Sequence, residues 1–150
     1  MTHDLRGTPT WNVVEQHFRR IHEPVFGAPH RMAEPSVSPD GSRVAVTGYV
    51  RDELDGRPRH RVHIVDADGI HAAGPDGHAS STPKWSPDGS LLAMLTDAAE
   101  HGVFQLIVVT AADLGASAPQ VAPPVQGTVE YLSWAPDGTA DASKTYQIIW

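Results

Sequence analysis

Cysteine does not occur in this 150-residue sequence. Disulfide bonds, thiolate zinc sites and cysteine nucleophiles are therefore excluded, and the composition suits a cytoplasmic location, which is our expectation. Long apolar runs are missing too, so no segment is expected to span a membrane. The first ten residues are polar and lack the apolar core of a signal peptide.

Lysine and arginine are scarce beyond residue 61. Residues 62–150 contain two lysines and ten acidic residues, whereas residues 1–61 contain nine arginines and eight acidic residues. The net charge of −7 argues against a nucleic-acid partner, because phosphate contacts require cationic side chains. The basic cluster at residues 57–61 is interpreted as a solvated hairpin loop.

Sequence motifs for catalysis are also missing. The Gly-x-Ser-x-Gly pentapeptide that exposes a hydrolase nucleophile does not occur, and its nearest match, residues 115–119, has Pro119 in place of the second glycine. Ser117 is therefore interpreted as part of a linker between strands. No glycine-rich phosphate loop or dinucleotide fingerprint follows a predicted strand. We predict no catalytic residue, no cofactor and no enzymatic activity for this chain alone.

The sequence contains nine histidines, which are candidate metal ligands. His60 and His63 are three residues apart on a predicted strand, so they should point to opposite faces of the sheet. His17 and His22 are poorly aligned on a predicted helix, and the other histidines are scattered along the chain. We therefore predict no metal site.

Two acidic pairs lie in predicted turns. Asp66-Ala67-Asp68-Gly69 begins like a calcium-binding loop, but residue 77, where such a loop needs glutamate, is glycine. A hairpin turn is the favoured interpretation. Asp52 and Glu53 belong to the predicted loop over residues 49–60 and match no peptide-binding motif, so a solvated loop is expected there.

A turn motif recurs at nearly constant spacing. Ser-Pro-Asp-Gly occupies residues 38–41 and 86–89, and Ala-Pro-Asp-Gly occupies residues 135–138, so the prolines are 48 and 49 residues apart. Serine first, proline second and glycine fourth are typical of a type I turn. Trp85 and Trp134 each precede their proline by two residues, so the context repeats with the motif.

Each of the first two turns leads into two predicted strands. The second strand of each blade is apolar, at residues 44–46 and 91–95, and the third strand covers residues 61–65 and 103–109. A weaker fourth strand is expected before the next tryptophan. Because four short strands in such a period are typical of a propeller blade, we predict an all-β fold. It is a partial β-propeller of two four-stranded blades plus the start of a third.

The predicted domain boundaries follow this period. They comprise an N-terminal helix and linker at residues 1–33, a propeller at residues 34–138 and a tail at residues 139–150. Within the propeller, the blades are expected at about residues 34–82, 83–132 and from 133 onward. The alternative is an ordinary β-sandwich with coincidental turns.

The tail departs from the repeat. Asp141 and Ser143 stand where the earlier copies have apolar residues. Our hypothesis is that the end of the chain is truncated or frame-shifted.

The pattern of residues 9–22 predicts a short α-helix. Thr8-Pro9 supplies an N-cap followed by proline at the first helical position, and Glu23-Pro24 ends the helix. Glu15 and Arg19 are spaced to pair. The apolar residues recur at helical spacing and form one stripe at positions 11, 14, 18 and 21. Such a stripe usually covers a core or a partner.

Residues 14–20 (VEQHFRR) and 23–27 (EPVFG), followed by the Ser-Pro-Asp-Gly repeats, resemble the start of bacterial prolyl oligopeptidase-family serine peptidases. The acylaminoacyl-peptidase and dipeptidyl-aminopeptidase-like members are the most similar, over about residues 11–138. The resemblance implies a propeller that covers a C-terminal α/β-hydrolase domain, which carries a Ser-Asp-His triad, and limits entry to short peptides. That hydrolase domain is missing here, so the helix stripe would be its docking surface.

The leading functional hypothesis is therefore a non-catalytic propeller portion that gates access in a serine peptidase acting on short peptides. The turn repeats are shared with other propellers, including the periplasmic Tol-system propeller. The alternatives are a stand-alone protein-interaction module of that type and a non-functional fragment. Closed propellers usually need four to eight blades. Because open sheet edges pair with other chains, we expect self-association when the chain is expressed alone.

Overall fold

The computed structural model of the protein describes residues 4–53, 57–114, 120–121, 126–135 and 146–147. Helix α1 spans Pro9–His22 and is followed by a 3-10 turn at Glu23–Val25. The first sheet consists of β1 Pro29–Val37, β2 Val44–Val50, β3 Arg59–Asp66 and β4 Gly69–Ala73. The second consists of β5 Ser80–Trp85, β6 Leu91–Glu100, β7 Val103–Thr110 and β8 Gln120–Val121. A two-stranded sheet pairs β9 Ser133–Trp134 with β10 Tyr146–Gln147.

The predicted fold is confirmed: two four-stranded antiparallel sheets in chain order are preceded by a short helix and followed by the start of a third sheet. The sheet boundaries differ from the predicted ones. β1 begins at Pro29 and not at residue 34, and β5 begins at Ser80, so residues 80–82 belong to the second sheet. Residues 30–32 are exposed. They therefore lack the alternation of apolar and polar residues that reveals a strand.

The first two Ser-Pro-Asp-Gly turns have the same hydrogen bonds. The amide of Gly41 donates to the carbonyl of Ser38 at 2.8 Å, and the amide of Gly89 donates to that of Ser86 at 2.9 Å. Both glycines have positive φ, at 72° and 74°, which glycine adopts at low cost. The predicted tight turns are thereby confirmed at these two places. Residues 136–138 of the third copy lie outside the described residues.

The two sheets share one strand register, at an offset of 48 residues in their first two strands and 44 residues in their third. In the first sheet Val37 pairs with Val44, Val44 with Val65, and Val46 with His63. In the second sheet the equivalent pairs are Trp85 with Leu92, Leu92 with Val109, and Met94 with Ile107. Side chains alternate between the faces of a strand. Each sheet therefore presents two faces with equivalent positions.

We define the two faces by their residues. The rear face carries Val37, Val44, Val46, His63 and Val65 in the first sheet, and Trp85, Leu92, Met94, Ile107 and Val109 in the second. The forward face carries Ala45, Thr47, Val62 and Ile64 in the first sheet, and Ala93, Leu95, Leu106 and Val108 in the second.

The hydrophobic core lies between successive sheets. The forward face of the first sheet packs on the rear face of the second, where Trp85, Leu92 and Met94 are buried. The forward face of the second sheet packs on Val129 and Leu132, with Trp134 beside them. Full burial of one such side chain contributes about 1.5–3 kcal/mol. The sheets are thus stacked in chain order, each against the next.

Helix α1 has the predicted ends. The Thr8 side chain accepts a hydrogen bond from the amide of Trp11 at 3.2 Å, which confirms the N-cap. Arg19 pairs with Glu15 at 2.7 Å and with Glu23 at 2.9 Å. No residue of α1 is buried. The predicted apolar stripe therefore exists, but nothing in the described part of the chain covers it.

Candidate functional site

The candidate residues of the sequence lie in different parts of the structure. Asp52 accepts two hydrogen bonds from the Arg59 guanidinium. His60 lies on the forward side of the first sheet, where its ring is 4.6 Å from that of Tyr49. His63 lies on the rear face, so the two histidines point to opposite sides of β3, as the sequence predicted. Ser117 lies outside the described residues.

His63 is buried against the backbone of β2. Its Nδ1 atom lies 2.9 Å from the carbonyl oxygen of Arg61, so Nδ1 carries the hydrogen and Nε2 is the acceptor. Burial lowers the pKa of this imidazole, which favours the neutral form. A Cβ atom at Gly48 would lie only 2.5 Å from Nδ1. Glycine at position 48 therefore makes room for the ring.

A buried carboxylate lies where two histidines that seemed scattered in the sequence come together. Asp97 accepts hydrogen bonds from the amides of Ala79 at 2.8 Å and Gly102 at 3.2 Å. Its carboxylate is 3.3 Å from His101 Nδ1 and 4.0 Å from His78 Nδ1. The two amide bonds give Asp97 a structural role in fixing the β6–β7 connection. Among the described residues, no group of three His, Cys, Asp or Glu side chains has an arrangement suited to a metal ion.

Asp66 and Asp68 form the predicted hairpin turn. Asp66 pairs with Gly69 across the β3–β4 connection, and its carboxylate accepts the amide hydrogen of Asp68 at 2.9 Å. Asp66 also lies 3.3 Å from His71. The interpretation as a hairpin turn is confirmed by this pairing.

A polar network that joins β1 and β5, the first strands of the two sheets, was not predicted from the sequence. Glu34 accepts hydrogen bonds from the Thr47 hydroxyl at 2.6 Å and from the Thr82 amide at 3.0 Å. Glu34 and Thr82 both have φ of 54° and both lie at bulges, in β1 and β5 respectively. A β-branched residue rarely adopts this conformation. The sequence signal is their 48-residue separation, which gives them equivalent places in the repeat.

Arg43 links the first turn to the second sheet. Its Nη1 donates to the carbonyl oxygen of Ala111 at 2.8 Å, and its guanidinium lies 4.8 Å from the ring centre of Trp85. The indole Nε1 of Trp134 donates to the carbonyl oxygen of Lys84 at 2.8 Å. The indole nitrogen of Trp85, by contrast, is buried without a hydrogen-bond partner among the described residues. Arginine and tryptophan thus join successive sheets.

In the part of the chain that the structure describes, two groups of apolar side chains form exposed surfaces. The first is the stripe of α1, formed by Trp11, Val14, Phe18 and Ile21. The second is on the rear side of the first sheet, where Met32 and Ile70 accompany Val37. None of the helices in the described ranges combines the length and the apolar character needed to cross a membrane.

No protein-family model and no curated protein matches the sequence. Solved structures do share the fold. A protein assigned as TolB from Agrobacterium tumefaciens superimposes with a TM-score of 0.58 at 17% identity, over 73% of this chain and 36% of its own. TolB from Acinetobacter baumannii gives a TM-score of 0.53 at 17% identity, over 82% of this chain and 30% of its own.

These superpositions define the class of fold. The stacked antiparallel sheets are part of a β-propeller. The chain spans well under half of the length of either solved structure. Structural similarity at 17% identity establishes the architecture alone.

Proposed function

We propose that the chain is a non-catalytic, protein-binding part of a β-propeller. The observation that carries this proposal is the stripe of α1, whose four side chains are between 41% and 54% exposed. An amphipathic helix in a protein is stabilised mainly by burying such a stripe. Contiguous exposed apolar groups mark protein-binding surfaces. The fold likeness to TolB supports an interaction module of the Tol-system type more than a peptidase domain.

The absence of catalysis is part of the same proposal. It rests on the missing Gly-x-Ser-x-Gly motif and on the structural roles of the titratable groups described above. The purified chain should therefore turn over neither chromogenic peptides nor chromogenic esters, and measurable turnover would contradict it. We propose the cytoplasm as the compartment. Fractionation of cells that express a tagged chain tests this location.

Site-specific photo-crosslinking tests the binding surface. A photoreactive amino acid at Phe18 lies on the stripe, whereas one at Gln16 lies on the opposite side of α1. In cells that naturally express the chain, we expect a discrete protein adduct from position 18 and none from position 16. Val14→Asp should abolish the adduct because it places a charge in the stripe. Equal labelling from both positions, or an adduct that survives Val14→Asp, would contradict the proposal.

A second candidate is the gating propeller of a serine peptidase. It is favoured by the resemblance of residues 14–27, which places the same stripe against an α/β-hydrolase domain. Mass spectrometry of the position-18 adduct separates the two candidates. A hydrolase with a Gly-x-Ser-x-Gly motif supports the peptidase, and a partner without one supports the interaction module.

A further inference from the structure

The stripe of α1 is narrow, and its width indicates the kind of surface that it fits. Its four residues are spaced three, four and three positions apart along the helix. The positions that flank the stripe on both sides are polar, namely Thr10, Glu15, His17 and His22. A helix that packs on a globular core usually has a wider apolar face, whereas this spacing is typical of the seam between two helices. The stripe is therefore suited to a single partner helix.

The sides of the stripe carry little charge that would oppose an identical helix. Glu15 is the one carboxylate among the four flanking residues, and none of them is lysine or arginine. The Glu15 carboxylate lies 2.7 Å from the Arg19 guanidinium of the same helix, which compensates its charge. In paired helices, the flanking charges decide which partners are accepted, because like charges repel each other. The flanks of α1 therefore do not exclude a second copy of this chain.

The order of side-chain sizes along the stripe favours an antiparallel pair of identical helices. In such a pair, the first stripe residue of one helix faces the last stripe residue of the other. Trp11 then faces the partner's Ile21, and Val14 faces the partner's Phe18, so each layer combines an aromatic ring with a smaller β-branched side chain. A parallel pair would place Trp11 on Trp11 and Val14 on Val14. Alternation of large and small side chains across a contact fills space better than such uneven layers.

We propose that the stripe of α1 binds the same stripe of a second copy of this chain, in an antiparallel pair with two-fold symmetry. This inference rests on the proposed function, because it names the partner of that protein-binding surface. A two-fold axis makes one surface patch complementary to itself. Since only four side chains per copy form the contact, it is smaller than the roughly 1,200 Å² of a stable interface. We therefore expect a dimer that forms reversibly and dissociates on dilution.

Disulfide formation tests this arrangement, because the sequence contains no cysteine. Val14→Cys and Phe18→Cys are introduced into separate full-length chains, which are purified, mixed and mildly oxidised. Antiparallel pairing places position 14 of one copy beside position 18 of the other, whereas two equal positions are separated by roughly a further 6 Å along the helix axis. The mixed disulfide should therefore exceed either symmetrical disulfide roughly tenfold or more. The three products differ in mass, so intact-protein mass spectrometry distinguishes them.

Two controls separate this contact from random collision. Val13 is 67% exposed and is separated from the stripe by Thr10 and His17, so Val13→Cys should form little disulfide with either thiol. Ile21→Asp in both chains should reduce the mixed disulfide roughly tenfold, because it places a charge in the seam. Gln16→Asp introduces the same charge on the opposite side of α1 and should leave the yield unchanged.

Symmetrical disulfides in excess of the mixed one would overturn the antiparallel pair, and so would a mixed yield that Ile21→Asp leaves unchanged.

Sedimentation equilibrium of the wild-type chain separates failure of this inference from failure of the proposed function. We expect a dimer at high concentration and a monomer on dilution. If the chain is monomeric throughout while photo-crosslinking at position 18 captures a different protein, the second copy is overturned and the protein-binding role stands. If the chain is monomeric and position 18 gives no adduct, both proposals are overturned.

Discussion

At the residue scale, the repeated turns depend on a carboxylate. Asp40 accepts hydrogen bonds from the Ser38 hydroxyl at 2.6 Å and from the Ser42 amide at 3.1 Å. Asp88 accepts the equivalent bonds from Ser86 and Ser90. These bonds, with the serine hydroxyl first, lower the pKa of each aspartate to about 2. The turns therefore favour the ionised form more than the unfolded chain does.

The pKa shifts of Asp40 and Asp88 predict an acid-labile contribution to stability. An unfolded aspartate has a pKa of about 3.9, so the contribution is present above that pH and is lost as the pH falls through about 2. Urea midpoints of the wild type should decrease between pH 5 and pH 2. The double variant Asp40→Asn and Asp88→Asn should show a smaller decrease. An identical decrease in both proteins would refute this assignment.

Because Gly48 and His63 are in contact, we expect substitutions at the two positions to have non-additive effects on the free energy of unfolding. Gly48→Ala places a methyl group 2.5 Å from the His63 ring and should destabilise the fold by about 1–3 kcal/mol through overpacking. In a His63→Ala background the same change should cost less, because only the contact of the new methyl group with Pro29 Cβ at 3.0 Å remains tight. A double-mutant cycle measured by urea unfolding checks this. Additive effects of the two substitutions would contradict the contact.

Side-chain directions could be predicted from the sequence, whereas contacts between distant residues could not. The opposite directions of His60 and His63 follow from strand alternation alone, so they were predictable. The role of Gly48 was not, because it depends on which residue of a neighbouring strand lies beside it. The approach of His78 and His101 to Asp97 likewise depends on two loops meeting in space.

At the scale of elements, sequence signals that act within one segment correctly predicted where that segment begins and ends. Thr8, Pro9 and the Glu23-Pro24 pair correctly predicted both ends of α1, because capping and proline geometry act over a few residues. The early start of β1 at Pro29 was missed. A first strand exposed over most of its length has no apolar pattern, and the bulge at Glu34 interrupts its alternation.

Because α1 has no buried residue, its stability should be separable from that of the sheets. Thr8→Ala removes the side-chain cap and should destabilise the helix by about 1 kcal/mol. We expect a smaller helical signal at 222 nm in circular dichroism, with no change in the urea midpoint of tryptophan fluorescence when both proteins carry Trp11→Phe, which removes the fluorophore of α1 itself. A lowered midpoint would mean that α1 packs on the sheets.

At the scale of the whole molecule, Arg43 is a polar link between the two sheets. Arg43→Met removes its hydrogen bond to the Ala111 carbonyl and its contact with the Trp85 ring. The expected loss of unfolding free energy is about 1–2 kcal/mol. Arg6→Met is the matched control, because Arg6 pairs with exposed Asp4 and should change stability little. Equal effects of the two substitutions would contradict the link.

The order of the sheets was predictable because the turn motif repeats with the period of a blade. Which positions of each sheet are buried was not predictable from the sequence. Val37 and Trp85 are equivalent in register, yet one is exposed and the other is buried. That difference arises from what precedes each sheet in space. Sequence periodicity contains no information about it.

The two sheets are stacked forward face to rear face. Nuclear Overhauser contacts between the Trp85 indole and the methyl groups of the first sheet test this stacking. We expect contacts with Ala45, Val62 and Ile64 of the forward face. Contacts with Val37 and Ile70 of the rear face, or contacts with neither face, would contradict it.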